Sequence, residues 1–102
     1  ERVLSGNLFV FVHFYAPWVI WCQRLIPTWE AFAREAARTK LVVAQVNCVE
    51  LSDLCTSLKI SAFPTLRWYQ NGKAYHRDYN ADRTVKSFAA YAAERLDEFF
   101  LE

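Results

Sequence analysis

The chain has 102 residues, a length that fits a single domain (residues 1–102) able to bury a core of its own. Hydrophobic residues make up 54% and aromatics 17%, which excludes a disordered chain; a net charge of +1 with no basic run gives no electrostatic case for nucleic acid or a membrane surface. No apolar run approaches the ~20 residues that span a bilayer, and Glu1-Arg2 leads at once into an amphipathic stretch, so no leader peptide is expected, although a domain cut from a longer multidomain protein would look the same.

Residues 8–15, LFVFVHFY, are apolar on both faces apart from His13. That pattern predicts a central strand covered by helices on both sides. Pro17 and Trp18 end it. Apolar groups then fall at 22, 25, 26, 29, 32, 33 and 36, which predicts a helix over 20–38. Pro27 lies inside it, removes one backbone donor and is expected to kink it. Residues 41–47, LVVAQVN, read as a second buried strand, and 51–59 as a short helix starting near Ser52 or Glu50. TLRWYQ (65–70) is a third strand. Asn71-Gly72 is a two-residue hairpin signal, so KAYHRDY (73–79) returns antiparallel. A last helix is expected from an N-cap at Asp82, with an apolar stripe at 85, 88, 89, 92, 96 and 99. The first two strands, joined through a helix, should be parallel.

Two glycines in the chain leave no glycine-rich phosphate loop, and no cofactor is expected. Three cysteines make an odd count, most simply one pair and one free thiol. Cys48 and Cys55 are seven apart, and Cys22 is distant from both. An oxidised pair would imply an oxidising compartment such as the endoplasmic reticulum lumen. A metal site needs about four ligands, and only Glu50 and Asp53 stand near Cys48 and Cys55, so none is expected.

Four segments in order, FYAPW followed by Cys22, RLIPTW, VNCVELSDLC and FPTLRWYQNGK, resemble the protein disulfide isomerase branch of the thioredoxin superfamily. CQRLIPTW and the Cys48/Cys55 spacing are similar to the multi-thioredoxin-domain endoplasmic-reticulum oxidoreductases. The resemblance implies an α/β thioredoxin fold, a central mixed sheet of four strands flanked by helices. Residues 1–7 match the end of the family's first helix. The family's first strand is absent, which would leave the edge of 41–47 unpaired.

The resemblance also implies roles. Cys22 takes the place of the resolving cysteine of C-x-x-C, and Val19 that of the attacking one. Ile20 and Trp21 stand where the common pattern has glycine and histidine. Pro64 matches the cis-proline facing the active site, and Cys48 and Cys55 a structural disulfide. Arg83 matches a mobile arginine that can approach the resolving cysteine. His13 matches a buried glutamate that exchanges protons with it. Arg67 matches a lysine that pairs with that glutamate; with histidine opposite, Arg67 is expected to extend to solvent.

Thiol–disulfide exchange needs a thiolate that reaches a disulfide sulfur, and a C-x-x-C cycle needs two thiols. Valine supplies neither. The reading is therefore a domain involved in protein folding in a secretory compartment, with little or no dithiol activity. It binds unfolded or client polypeptide through an apolar surface of Trp18, Val19, Ile20, Trp21, Phe63 and Pro64, and its partners include sister thioredoxin domains but neither nucleic acid nor membrane. The alternative is a single-thiol isomerase in which Cys22 attacks, aided by His13 and Arg83. The plainer readings are an inert core thiol at Cys22 and a neutral core histidine at His13. An engineered cysteine-to-valine change at position 19 would leave the same pattern.

Overall fold

The computed structural model describes residues 2–101. In chain order the elements are α1 (Arg2–Gly6), β1 (Phe9–Tyr15), α2 (Ile20–Ala36), β2 (Leu41–Asn47), α3 (Ser52–Ser57), β3 (Thr65–Gln70), β4 (Lys73–Ala74) and α4 (Val85–Leu101). The strands form one mixed sheet in the order β2-β1-β3-β4. β1 pairs in parallel with β2, from Phe9 opposite Leu41 to Tyr15 opposite Asn47. It pairs antiparallel with β3, from Phe9 opposite Gln70 to Phe14 opposite Thr65. Among the described residues no helix is long and apolar enough to cross a membrane.

Alternation along β1 divides the core into two layers. Phe9 and Phe11 join Trp68, Leu66 and the buried stripes of α2 and α4 in one cluster. Val10, Val12 and Phe14 face the other way and pack with Tyr69, Cys48 and Cys55. Helix α2 buries Cys22, Leu25, Trp29, Phe32 and Ala36, steps of three and four that put one face on the sheet. It runs as one helix through Pro27, whose missing N–H would have bonded the Gln23 carbonyl. It ends two residues before the expected Arg38. Thr39 turns the chain there: its Oγ1 donates to the Ala36 carbonyl at 2.7 Å and accepts from Leu41 N–H at 3.1 Å.

Several boundaries differ from the sequence expectation. β2 is an edge strand, half-buried beyond Leu41, rather than a buried one. α3 has no side-chain cap from Ser52 or Glu50. The turn before it is organised by Asn47, whose Oδ1 accepts from Val49 and Glu50 N–H at 2.9 and 3.4 Å. The Asn71-Gly72 hairpin forms, with both residues at positive φ (54° and 77°), as a type I′ turn requires. β4 is only two residues long, however. Tyr75 N–H still bonds the Trp68 carbonyl, but the next bond to β3 runs from Tyr79 N–H to Leu66. An unbroken ladder would have put Arg77 there. The chain bulges outward by two residues, so Tyr79 enters the core and His76, Arg77 and Asp78 stay outside.

That bulge also resolves Arg67, which does not extend to solvent. It lies opposite Val12, on the face of the sheet away from His13. Its Nε and Nη2 donate to Asp78 at 2.7 and 3.3 Å, and Nη1 donates to the Leu58 carbonyl at 2.6 Å. Helix α4 begins two residues later than expected. Thr84, not Asp82, supplies the cap: its Oγ1 accepts from Ser87 N–H at 3.1 Å. Of the expected stripe, Phe88 and Ala92 are buried, Val85, Leu96 and Phe99 are half-buried, and Ala89 is exposed. Arg95 is the buried member the apolar pattern omitted. Its guanidinium lies 4.1 Å from the centroid of the Tyr75 ring and bonds both carboxylate oxygens of Glu98.

The C-terminal end of α3 gives a local test of stability. Lys59 adopts φ of 61°, and Ile60 N–H bonds back to the Cys55 carbonyl at 2.9 Å, the left-handed closure that glycine normally fills. Lys59→Gly is expected to stabilise the domain by about 0.5–1 kcal/mol, because removing Cβ relieves more strain than the added chain entropy costs. Chemical denaturation checks this against Lys59→Ala, which keeps a Cβ and should show no gain.

Candidate functional site

The C-terminal end of β1 is where the chemistry-bearing residues converge. β1 runs out at Tyr15, beside Asn47 of β2. Cys48 N–H bonds the Tyr15 carbonyl at 2.9 Å, and Phe14 lies opposite Thr65, the residue after Pro64. The same end of the sheet therefore gathers the start of α2, the disulfide and the Phe63-Pro64 loop. The Phe63-Pro64 peptide is cis. Cys48 and Cys55 are joined as a disulfide, with Cα atoms 5.7 Å apart, tying the end of β2 to α3.

The start of α2 divides its side chains sharply. Val19 is the N-cap, has extended backbone and offers no polar atom to the free amides of the first turn. Val19 N–H bonds the Ala16 carbonyl at 3.1 Å, and the Gln23 side chain reaches back to the Pro17 carbonyl at 2.7 Å. Those bonds set the helix so that position 22 points inward and positions 20 and 21 point out. Cys22 is 0% exposed, whereas Trp18 is 70% and Trp21 56% exposed. Ile20 is also exposed, and Val19, Phe63 and Pro64 are half-buried.

Cys22 is a free thiol. Burial pushes its pKa up, because a thiolate would lose its hydration; a backbone contact from Ala16 and the charge of Arg83 oppose this without overcoming it. His13 is equally buried. Its Nδ1 lies 3.0 Å from Gln45 Oε1, which places the ring proton on Nδ1. Nε2 is buried with no hydrogen-bond partner. Burial is also the main reason its pKa falls to about 4; the Gln45 bond raises it and Arg83 lowers it further. A weak acid and a weaker base are thus both buried, and moving the Cys22 proton to His13 is strongly uphill at neutral pH. No hydrogen bond links the two. Arg83, exposed in the segment before α4, is the one expected helper whose field reaches both.

Two residues of this end were missed by sequence reasoning. Gln45 is the partner of His13. It is the lone long polar side chain inside LVVAQVN, and residue-for-residue parallel pairing with β1 puts it opposite His13. Arg24 is the other. Its guanidinium lies 5.1 Å from the Trp21 ring, an i,i+3 stack on the outer face of α2. Among the described residues no group of three or more His, Cys, Asp or Glu side chains gathers where it could hold a metal ion.

This fold and this site define a class. The thioredoxin family pattern matches residues 1–94, and the chain belongs to that family. Its relatives are protein disulfide isomerase-like. It is 34% identical over 97 residues to a Drosophila melanogaster thioredoxin domain-containing protein 5 homolog, covering 94% of this chain and 23% of that one. It is 35% identical over 95 residues to protein disulfide-isomerase 1 of Dictyostelium discoideum, covering 89% of this chain and 26% of that one. Among solved structures, human ERp44 (form I) superposes with a TM-score of 0.87 at 30% identity over 92% of this chain and 26% of that chain. The J-Trx1 fragment of ERdj5 superposes with a TM-score of 0.83 at 31% identity, covering 94% and 47%. The chain spans about a quarter of the length of the curated relatives named here.

Two measurements follow from the buried pair. Cys22 should react with a thiol-alkylating reagent only as fast as the domain unfolds, so its labelling rate should rise with denaturant; fast labelling of the native domain would show a reachable thiolate. His13 ties stability to pH. Its folded pKa of about 4 lies below the unfolded 6.5, so its contribution is complete above about pH 6.5 and is lost as pH falls toward 4. The full loss is about 3 kcal/mol. His13→Gln, which keeps a bond to Gln45 and does not titrate, should flatten the stability profile across that window; an unchanged slope would show that other groups set it.

Proposed function

We propose that this domain binds unfolded or partner polypeptide through the surface made by residues 18–21 and 63–64, in a secretory compartment, without running a dithiol redox cycle. The observation that carries the reading is the contrast at the start of α2. Two tryptophans and an isoleucine face solvent there, while the one free thiol is 0% exposed behind them. Large apolar side chains grouped in solvent are costly to leave uncovered and mark contact surfaces. The Phe63-Pro64 loop contributes backbone that can pair with an extended segment. A secretory location is supported by the disulfide and by the disulfide-isomerase relatives. Their greater length supports a parent protein in which sister thioredoxin domains carry out exchange.

The single-thiol alternative finds less support. It requires Cys22 to ionise and to meet a substrate sulfur, and burial opposes both.

The test uses an unfolded client with its cysteines alkylated, so that binding cannot proceed through thiol exchange. Titration should show saturable binding that weakens about tenfold or more in Trp18→Ser/Trp21→Ser, as loss of central tryptophans commonly does. Cys22→Ala should bind as the parent does. Binding that is indifferent to both tryptophans refutes the surface. Insulin reduction by the isolated domain, abolished by Cys22→Ala, would restore the single-thiol alternative.

A further inference from the structure

Among the described residues two arginines stack on aromatic rings, in different settings. Arg95 lies over Tyr75, and Glu98 accepts from its two terminal nitrogens at 3.0 and 2.9 Å, so the stacked cation carries its own carboxylate. Arg24 lies over Trp21 with no such counter-ion. The ion pairs among the described residues belong to Arg67 and Arg95.

Arg24 also borders a cleft of about 260 Å³ lined by Trp21, Arg24, Leu25, Thr28 and Arg83. The first four follow each other at i, i+3, i+4 and i+7 along one side of α2. Arg83 closes the cleft from the segment before α4. Leu25 is buried, and Thr28 is half-buried with a hydroxyl. Asp82, the acid next to Arg83 in sequence, is not among the lining residues, and no other carboxylate is. Two arginines from separate elements thus line one small space whose lining includes no carboxylate. Trp21 belongs at once to this cleft and to the exposed apolar surface.

We infer that the cleft receives the carboxylate of an acidic residue in a bound polypeptide, while an adjoining apolar residue of the same segment lies on Trp21 and Ile20. The occupant supplies to Arg24 and Arg83 what Glu98 supplies to Arg95. Guanidinium and carboxylate match as planar groups, and a forked pair of donors fixes direction as well as charge. Clients with an Asp or Glu beside an apolar residue are then preferred over neutral or basic ones. This inference rests on the polypeptide-binding reading above and adds the chemistry of the bound segment.

The test compares three short extended peptides of Leu, Val and Thr that differ at one position, carrying Glu, Gln or Lys. At low salt the Glu peptide should bind about fivefold tighter than the Gln peptide, the size expected for partly exposed ion pairs, and the Lys peptide weakest. Added salt should erase the preference. Arg24→Gln/Arg83→Gln should abolish the preference, so that the Glu and Gln peptides bind equally. Arg24→Glu/Arg83→Glu should reverse the order and favour Lys. Equal affinity of the Glu and Gln peptides for the parent domain overturns the acidic preference and leaves the apolar surface standing. Absence of binding by all three overturns the surface as well.

Discussion

β1 is packed on both faces and paired on both edges, and this sets the terms for the candidate site at its C-terminal end. A strand in that position offers no water to a charge. His13 therefore remains neutral, its proton shared with Gln45 and its other nitrogen unpartnered. The same layer takes in Cys22, one turn inside α2. Burial holds the thiol and the imidazole as two neutral groups. Past Ala16 the chain leaves the core and presents tryptophan and isoleucine to solvent. Burial and exposure at this end are consequences of one geometry.

The charged groups follow a complementary logic. Arg67 and Arg95 are drawn into the fold because each finds a carboxylate, Asp78 and Glu98. Arg67 depends on the bulge after β4 to bring Asp78 within reach. Arg24 and Arg83 stay at the rim beside the apolar surface. A surface that joins apolar contact with unpaired cations suits partners recognised by pattern rather than by bulk hydrophobicity. Under the proposed polypeptide-binding reading, specificity of that kind would select among chains without any redox step.

Much of the fold was legible in the sequence because the relevant signals are local. The apolar run of β1, the three-four spacing of α2 and the Asn71-Gly72 turn each follow from a few adjacent residues. The exposed character of positions 20 and 21 followed from the family resemblance, which implies that this surface stays open. The misplacements came from contacts distant in sequence. Arg67 meets Asp78 only because β4 breaks off, which the alternating residues 73–79 do not reveal. Thr84 replaces Asp82 as the cap because Tyr79, packed in the core, donates its hydroxyl to the Asp82 carbonyl and holds that segment out of the helix. Gln45 was readable only once the register between β1 and β2 was known. Arg24 needed the three-residue step to Trp21 to be treated as a contact.

The burial of Cys22 has a consequence for the molecule's own covalent integrity. The chain carries one disulfide, Cys48–Cys55, and one free thiol at the same end of the sheet. A reachable thiolate there would be an internal reagent, able to open that bond and rearrange it into either of two wrong pairings. Sealed in the core and kept protonated, Cys22 cannot begin that reaction while the domain is folded. The native pairing is thus protected kinetically.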